Sequence, residues 1–372
     1  MKPLNPFTYL KNNPKKMLPV FMSVAIGVLL VYIFSLFSAT TNKMVSVATF
    51  DITDKYNIVY TKDDTVLPQD FLDEIDNAQI QDVFPVQMNL SGLAYYRGGM
   101  GSTTITTFNL FDNDILRLLD SFGIELIEGS LPTNNQNEIL VPIEFALQND
   151  LAVGDYIGTA ISDEYALQGK YEICGLTQGE VLFSVTCQPG NESREQVMSK
   201  GVMYSIDGLN AAKQTNLIES LPSNVIFITS DYYQQEFSIT LNSMQLLTYI
   251  LTAVMIIVLC IALGNLNIVL FDSRRNEITI LYSIGFTKRE LARKLWEENL
   301  FVCIGGYLVG VLLTITIIGL LNVFSLVPNG KMLEIISFQG LIAAFALPIF
   351  VSAFSLLPSL LSNFHSMKEI PY

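Results

Sequence analysis

One histidine, one tryptophan and four cysteines occur in 372 residues, and only 15% of the side chains are charged. With His365 as the only imidazole, near the C-terminal end, His-based triads and most zinc sites are excluded. No Gly-x-x-x-x-Gly-Lys-Ser/Thr run occurs, so the chain has no P-loop route to ATP hydrolysis. Gly98-Gly99-Met100-Gly101 is glycine-rich, but no lysine follows it and it reads as a hairpin turn. A basic footprint is also missing. The formal net charge is −14, which argues against a nucleic-acid partner.

What the chain has is long stretches without charge. Half of it is apolar. Four windows carry no charged residue, between Lys16 and Lys43, Glu236 and Asp272, Glu298 and Lys331, and Glu334 and Lys368. Each exceeds the roughly 20 residues that a helix needs to cross ~30 Å of hydrocarbon. They predict four transmembrane helices at 18–40, 244–271, 299–325 and 337–362. Lysines before the first span and the small residues Ser38-Ala39-Thr40 at its end resemble a secretory signal. Its apolar run is longer than a signal's, however, and it is read as an anchor.

Basic residues set the orientation. Lys2, Lys11, Lys15 and Lys16 precede the first span, and Arg274, Arg275, Lys288, Arg289, Arg293 and Lys294 follow the second. The positive-inside rule puts segments 1–17, 272–298 and 363–372 in the cytoplasm, and segments 41–243 and 326–336 outside. Residues 41–243 hold nine basic and 28 acidic side chains, a net −19, so the acidity belongs to the outer segment. At about 200 residues it is long enough for its own core. Strands are expected at Val45–Phe50, Asn57–Tyr60, Val83–Leu90, Thr103–Phe108, Ile139–Val141, Tyr171–Leu176, Val202–Ile206 and Val225–Thr229. Helices are expected at Pro68–Ala78, Ile115–Phe122 and Ile143–Asn149. The fold class is therefore an α-helical membrane domain of four spans plus a large extracytoplasmic α+β domain. Two lobes would fit the latter, with a break near 98–130.

The loop at 272–298 is richer than a membrane turn requires. Ile278, Leu281 and Ile284 recur at helical spacing, so the second span is expected to continue for two or three turns. Gly285 can stop that helix in a left-handed conformation. Thr287-x-x-Glu290 is a capping box for a new short helix from Lys288, expected to lie along the membrane surface. Leu291 and Leu295 would form its apolar face, with Lys288, Arg289, Arg293 and Lys294 on the others. Within the spans, Gly305, Gly306 and Gly310 offer a small-residue packing face. Asn299 is expected to bond between helices.

Cys174 and Cys187 both lie in the outer segment, where an oxidising compartment permits a disulfide closing a hairpin; two free thiols are the alternative. Cys260 and Cys303 fall inside predicted spans and read as small apolar residues.

Several of these segments together resemble a known family. They are Phe7-Thr8-Tyr9-Leu10-Lys11-Asn12-Asn13-Pro14-Lys15-Lys16, Glu128-Gly129-Ser130-Leu131-Pro132, Asn137-Glu138-Ile139-Leu140-Val141 and Leu151-Ala152-Val153-Gly154-Asp155. Tyr171-Glu172-Ile173-Cys174-Gly175-Leu176, Arg274-Arg275-x-Glu277-Ile278 and Ile284-Gly285 follow in order. The chain resembles MacB/FtsX-type permeases, transmembrane subunits of type VII ABC transporters, along nearly its whole length. The resemblance implies a cytoplasmic ABC ATPase partner in two copies, which binds ATP and Mg; no cofactor is expected in this chain. It also implies a permease homodimer among membrane lipids in a bacterial plasma membrane, with room for an extracytoplasmic partner protein. Arg274, Arg275, Glu277, Ile278, Gly285, Thr287, Lys288 and Glu290 would make the ATPase-coupling element. The implied function is ATP-driven export or extraction of a peptide, lipid-like or porphyrin-like substrate. The alternative is a non-transporting scaffold that activates a wall hydrolase or a sensor kinase.

Overall fold

A computed structural model describes residues 12–61, 65–77, 80, 82–97, 101–134, 137–162, 165–187, 192–207, 221–222 and 224–354. The chain divides into a helical unit, drawn from residues up to Ala39, Ser243–Leu321 and residues from Glu334 onward, and an α+β unit of Thr40–Asn242 and Asn322–Leu333.

In the helical unit, α1 (Pro14–Val45) leads from the N-terminal region, and strands β1 to β11 and helices α2 to α5 follow it in the other unit. Then come α6 (Ser230–Asp272), α7 (Arg275–Ser283), α8 (Lys288–Leu321) and α9 (Phe338–Phe354). Three stretches, Pro14–Thr53, Gln245–Leu266 and Lys288–Asn329, are long and apolar enough to cross a membrane. The fourth apolar helix is described over Phe338–Phe354; Pro358 and His365 lie outside the described residues.

Small residues decide how these helices meet. A Cβ added at Gly310 of α8 would lie 2.6 Å from the Ala25 carbonyl oxygen of α1, and one at Gly306 would lie 3.0 Å from that of Phe21. These glycines therefore let two backbones approach as no larger residue could. Gly340 of α9 meets Tyr32 and Ser35 of α1 in the same way. Asn299 of α8 donates its amide to the Ser352 carbonyl of α9 at 3.5 Å, and the Tyr307 hydroxyl donates to the Leu341 carbonyl at 3.3 Å.

The α+β unit holds two sheets. Strands β1 (Tyr56–Thr61), β2 (Val83–Pro85), β10 (Gly201–Ser205) and β11 (Val225–Ile228) form one, in the order β11-β1-β10-β2. The other contains β3 (Gln87–Tyr95), β4 (Thr103–Leu110), β5 (Glu125–Gly129), β6 (Glu138–Pro142), β8 (Tyr171–Gln178) and β9 (Ser184–Cys187). Its order is β3-β4-β9-β6-β8-β5, with the short β7 (Tyr156–Ile157) on β8. Helices α2 (Gln69–Asn77), α3 (Asp112–Phe122), α4 (Ile143–Gln148) and α5 (Arg194–Met198) pack on them.

This topology changes the expected lobe boundary. Within 101–130, β4 and β5 both belong to the larger sheet, and the smaller sheet pairs strands from both ends of the segment. Pairing of β1 with β10 and β11 is non-local, so no composition shift along the chain marks it. The two sheets share a core that includes Tyr56, Phe84, Phe108, Ile115, Val185 and Met203. Asp114 of α3 is tied to Arg194 of α5, with Arg194 Nη2 3.2 Å from Asp114 Oδ1.

The expected strand at Val45–Phe50 is a correction as well. Ser46–Phe50 is a π-helical turn that carries α1 on to Thr53. The alternation Val45-Ser46-Val47 favours a strand locally, but Val47 and Met44 are buried in a core with Leu93, Ile105 and Ile139, and packing overrides propensity. The segment expected as a short outer loop, 326–336, also joins this unit through residues up to Leu333. Asn322 clasps the Leu333 backbone from both sides, at 2.8 and 3.0 Å. Met332 N–H donates to the Arg97 carbonyl at 2.7 Å.

Cys174 and Cys187 form no disulfide; both are buried thiols. They sit on β8 and β9, and β6 runs between those strands. Two strand spacings amount to roughly 9–10 Å, beyond the ~7 Å Cα separation that a disulfide spans. The hairpin read from sequence does not exist, because β6 intervenes between β8 and β9. Burial pushes the Cys174 thiol up to about 12, and Cys187 Sγ donates to Asp112 Oδ1 at 2.6 Å.

Candidate functional site

The α7–α8 hairpin begins just after α6. Arg274 occupies the N-cap of α7, and Ile278 N–H bonds back to its carbonyl at 3.1 Å. Glu277, in the first turn, suits the positive end of the helix dipole. Ile278, Leu291 and Leu295 are buried together, with Leu281 and Phe286 packed on them. This apolar seam joins α7 to the first turns of α8.

Between the two helices a complete C-cap and N-cap follow each other. Gly285 has φ +106°, its N–H donates to the Tyr282 carbonyl at 3.0 Å, and the Phe286 N–H donates to the Leu281 carbonyl at 3.2 Å. That pair of bonds is a Schellman motif, with Phe286 and Leu281 supplying its apolar contact. Thr287 then starts α8. Its N–H donates to Glu290 Oε2 at 2.8 Å, and Glu290 N–H donates to Thr287 Oγ1 at 3.3 Å. Each side chain satisfies a backbone donor that the helix start would leave unpaired.

The helix from Lys288 does not stop short on a membrane surface as expected. It continues without a break to Leu321. Leu291, Lys294, Leu295, Glu298, Asn299 and Val302 are all buried along one side, so a single face carries the seam into the span. The region has neither Gly nor Pro between Lys288 and Glu298 to end a helix.

A knot of four charges fastens the hairpin. Arg274 is 5% exposed and binds Glu298, 2% exposed, through Nη1 at 2.6 Å. Its Nε meets Glu277 Oε2 at 3.1 Å, and Lys294 Nζ meets Glu277 Oε1 at 3.3 Å. Lys294 lies 3.9 Å from Glu298, completing the ring of two cations and two anions. Burial alone would raise the Glu277 carboxyl, but Arg274 and Lys294 hold it below the ordinary carboxylate range. Arginine suits this place because its planar fork reaches two carboxylates at once.

Of the residues singled out in the sequence, Arg274, Glu277, Ile278, Gly285, Thr287 and Glu290 come together in this hairpin as knot, seam and caps. Lys288 lies on its outer side with Nζ 5.9 Å from the Tyr282 ring centroid. The side chain of Arg275 lies outside the described residues. Two members of the knot were missed. The sequence reading puts Lys294 off the apolar face of a membrane-surface helix and uses Glu298 only as the edge of a span; their i,i+4 spacing is the available signal. Ile280 and Ile284 are 59% and 70% exposed, and Tyr282 is exposed beside them, leaving an apolar outer face on α7. No cluster able to hold a metal ion occurs among the described residues. The arrangement is mechanical in kind, with one face locked to α8 and another presented outward.

Residues 249–366 match the FtsX-like permease C-terminal family. No curated protein matches the chain. Among solved structures, the extracellular domain of the noncanonic ABC-type transporter YknZ from Gram-positive bacteria is similar at 10% identity, covering 47% of this chain and 100% of its own, with a TM-score of 0.26. A domain of a permease protein from Porphyromonas gingivalis is similar at 14% identity, covering 47% of this chain and 89% of its own, with a TM-score of 0.27. Over residues 249–366, which include α7, α8 and α9, the chain is therefore similar to the C-terminal part of FtsX-like permeases.

Proposed function

We propose that this permease converts ATP hydrolysis by a separate cytoplasmic ATPase into movement of its extracytoplasmic α+β unit, and so exports or extracts a peptide, lipid-like or porphyrin-like substrate. The observation that carries this reading is the α7–α8 hairpin, with its inner face fixed to α8 by the charge knot and its outer face, Ile280, Tyr282 and Ile284, left uncovered. A partner gripping the outer face would move α8 as a rigid lever, because a knot of buried ion pairs yields only at a high energetic cost. The permease itself hydrolyses nothing, and ATP and Mg belong to two ATPase subunits. Four spans with both termini in the cytoplasm, paired as a homodimer, complete the arrangement.

Substituting Glu277 or Gly285 would disturb the hairpin's own fold, so the informative variant is Ile280→Asp/Ile284→Asp on the uncovered face. Purified with its ATPase, this variant should lose at least about tenfold in association, with its melting temperature unchanged. Undiminished association and ATPase stimulation would overturn the coupling role.

A further inference from the structure

The α+β unit has a cavity of about 410 Å³ on the larger sheet, within the ~300–1,000 Å³ range of small-molecule sites. Its floor is a row across three strands. Gln87 of β3 is paired with Asn109 of β4, which is paired in turn with Thr186 of β9. Thr107, two residues before Asn109 and on the same face, lies buried beside that row with its hydroxyl 2.7 Å from the Ser184 hydroxyl. Leu167, Gln168 and Tyr171 wall it from the segment leading into β8, and Met88 completes the lining.

Two features set this place apart. None of the eight lining residues is charged, although the surrounding segment carries a net −19. Asn109 donates Nδ2 to Gln87 Oε1 at 3.4 Å, but its own Oδ1 is shut off from solvent with no hydrogen-bond partner among the described residues. Orphaned polar atoms of this kind are uncommon in folded proteins, and a turn of the Asn109 amide is needed to bring this oxygen to a ligand.

We propose that this cavity binds a neutral saccharide carrying hydroxyl and acetamido groups. Amide and hydroxyl side chains both donate and accept, as sugar hydroxyls and acetamides do. Tyr171 and Met88, both half-buried, provide the apolar atoms of the lining for the C–H faces of a sugar ring, with the buried Leu167 behind them. An extended peptide would seek backbone groups at a sheet edge, whereas the middle of this floor is β4, hydrogen-bonded on both sides by β3 and β9. The absence of charge leaves nothing to select an anion or a cation.

The test uses the full chain in nanodiscs without its ATPase, so it is read independently of the coupling proposal. With methionine methyl groups labelled with ¹³C, N,N′-diacetylchitobiose should shift the Met88 signal saturably. Asn109→Leu and Thr186→Val should each weaken that binding at least about tenfold. The exposed Gln87→Ala should weaken it too, and it keeps the test intact if a floor variant fails to fold. No saturable shift up to about 10 mM, well above millimolar affinity, would overturn the proposal. So would equal binding by all three folded variants, or tighter binding of a sugar phosphate or of a neutral tripeptide amide.

Discussion

Removing the Arg274 guanidinium would strand the Glu298 carboxylate, which is 2% exposed and already has one oxygen without a hydrogen-bond partner among the described residues. Arg274→Met is therefore expected to cost about 3–5 kcal/mol. The double variant Arg274→Met/Glu298→Leu should recover most of that, because neither charge is then left alone. Thermal melts of the four proteins in one detergent form the cycle that measures it. The two carboxyls of the knot respond to acid in opposite senses, burial pushing Glu298 up while Glu277 is held down, so the acid limb to stability comes from Glu277. Glu277 has a folded pKa below its unfolded value, so its contribution is fully present above about pH 4.3 and is lost as pH falls through the lower folded value. Melting temperature should hold between about pH 7 and pH 5 and drop below about pH 4. Glu277→Gln should flatten that drop, and an unchanged pH profile in the variant would assign the acid limb to other groups.

Helix contacts turn on single glycines. Gly310 and Gly319 are both on α8, yet a Cβ at Gly310 would meet the Ala25 backbone at 2.6 Å while one at Gly319 would meet nothing within 4 Å. Gly310→Ala should lower the melting temperature and the yield of monodisperse protein, and Gly319→Ala should leave both unchanged or slightly raised, since alanine favours helix by about 1 kcal/mol. Equal behaviour of the two would mean that α1 and α8 do not pack through this stripe. The caps at Gly285 and Thr287 were legible in the sequence because a cap is a local arrangement of three or four residues. The length of α8 was less so. The basic cluster Lys288, Arg289, Arg293 and Lys294 suggested a surface helix, but Lys294 turns inward to Glu277, so nothing obliges the helix to end before the span.

Across the molecule, the two cysteines of the α+β unit report on its closure. Cys174 and Cys187 belong to the core shared by the two sheets. Alkylation of the native protein should leave both untouched, and unfolding without reductant should expose four free thiols, the whole complement of the chain. Two missing thiols in that count would restore the disulfide. The neighbouring strand β6, which separates β8 from β9, is contributed by residues that sequence spacing treats as remote from Cys187.

The apolar helices, the acidic α+β segment, the helix stop at Gly285 and the restart at Thr287 are all written in the local sequence. Each of these depends on hydropathy over a short window, on local charge or on backbone preferences within one turn. Folding alone brings Arg274, Glu277, Lys294 and Glu298 into one knot, closes one sheet with strands from both ends of the α+β segment, and sets Gln87, Asn109 and Thr186 along one cavity floor. Those groupings bring together residues up to about 170 positions apart. The physical reason is that burial and strand register, neither of which leaves a local mark on the chain, select which distant side chains meet.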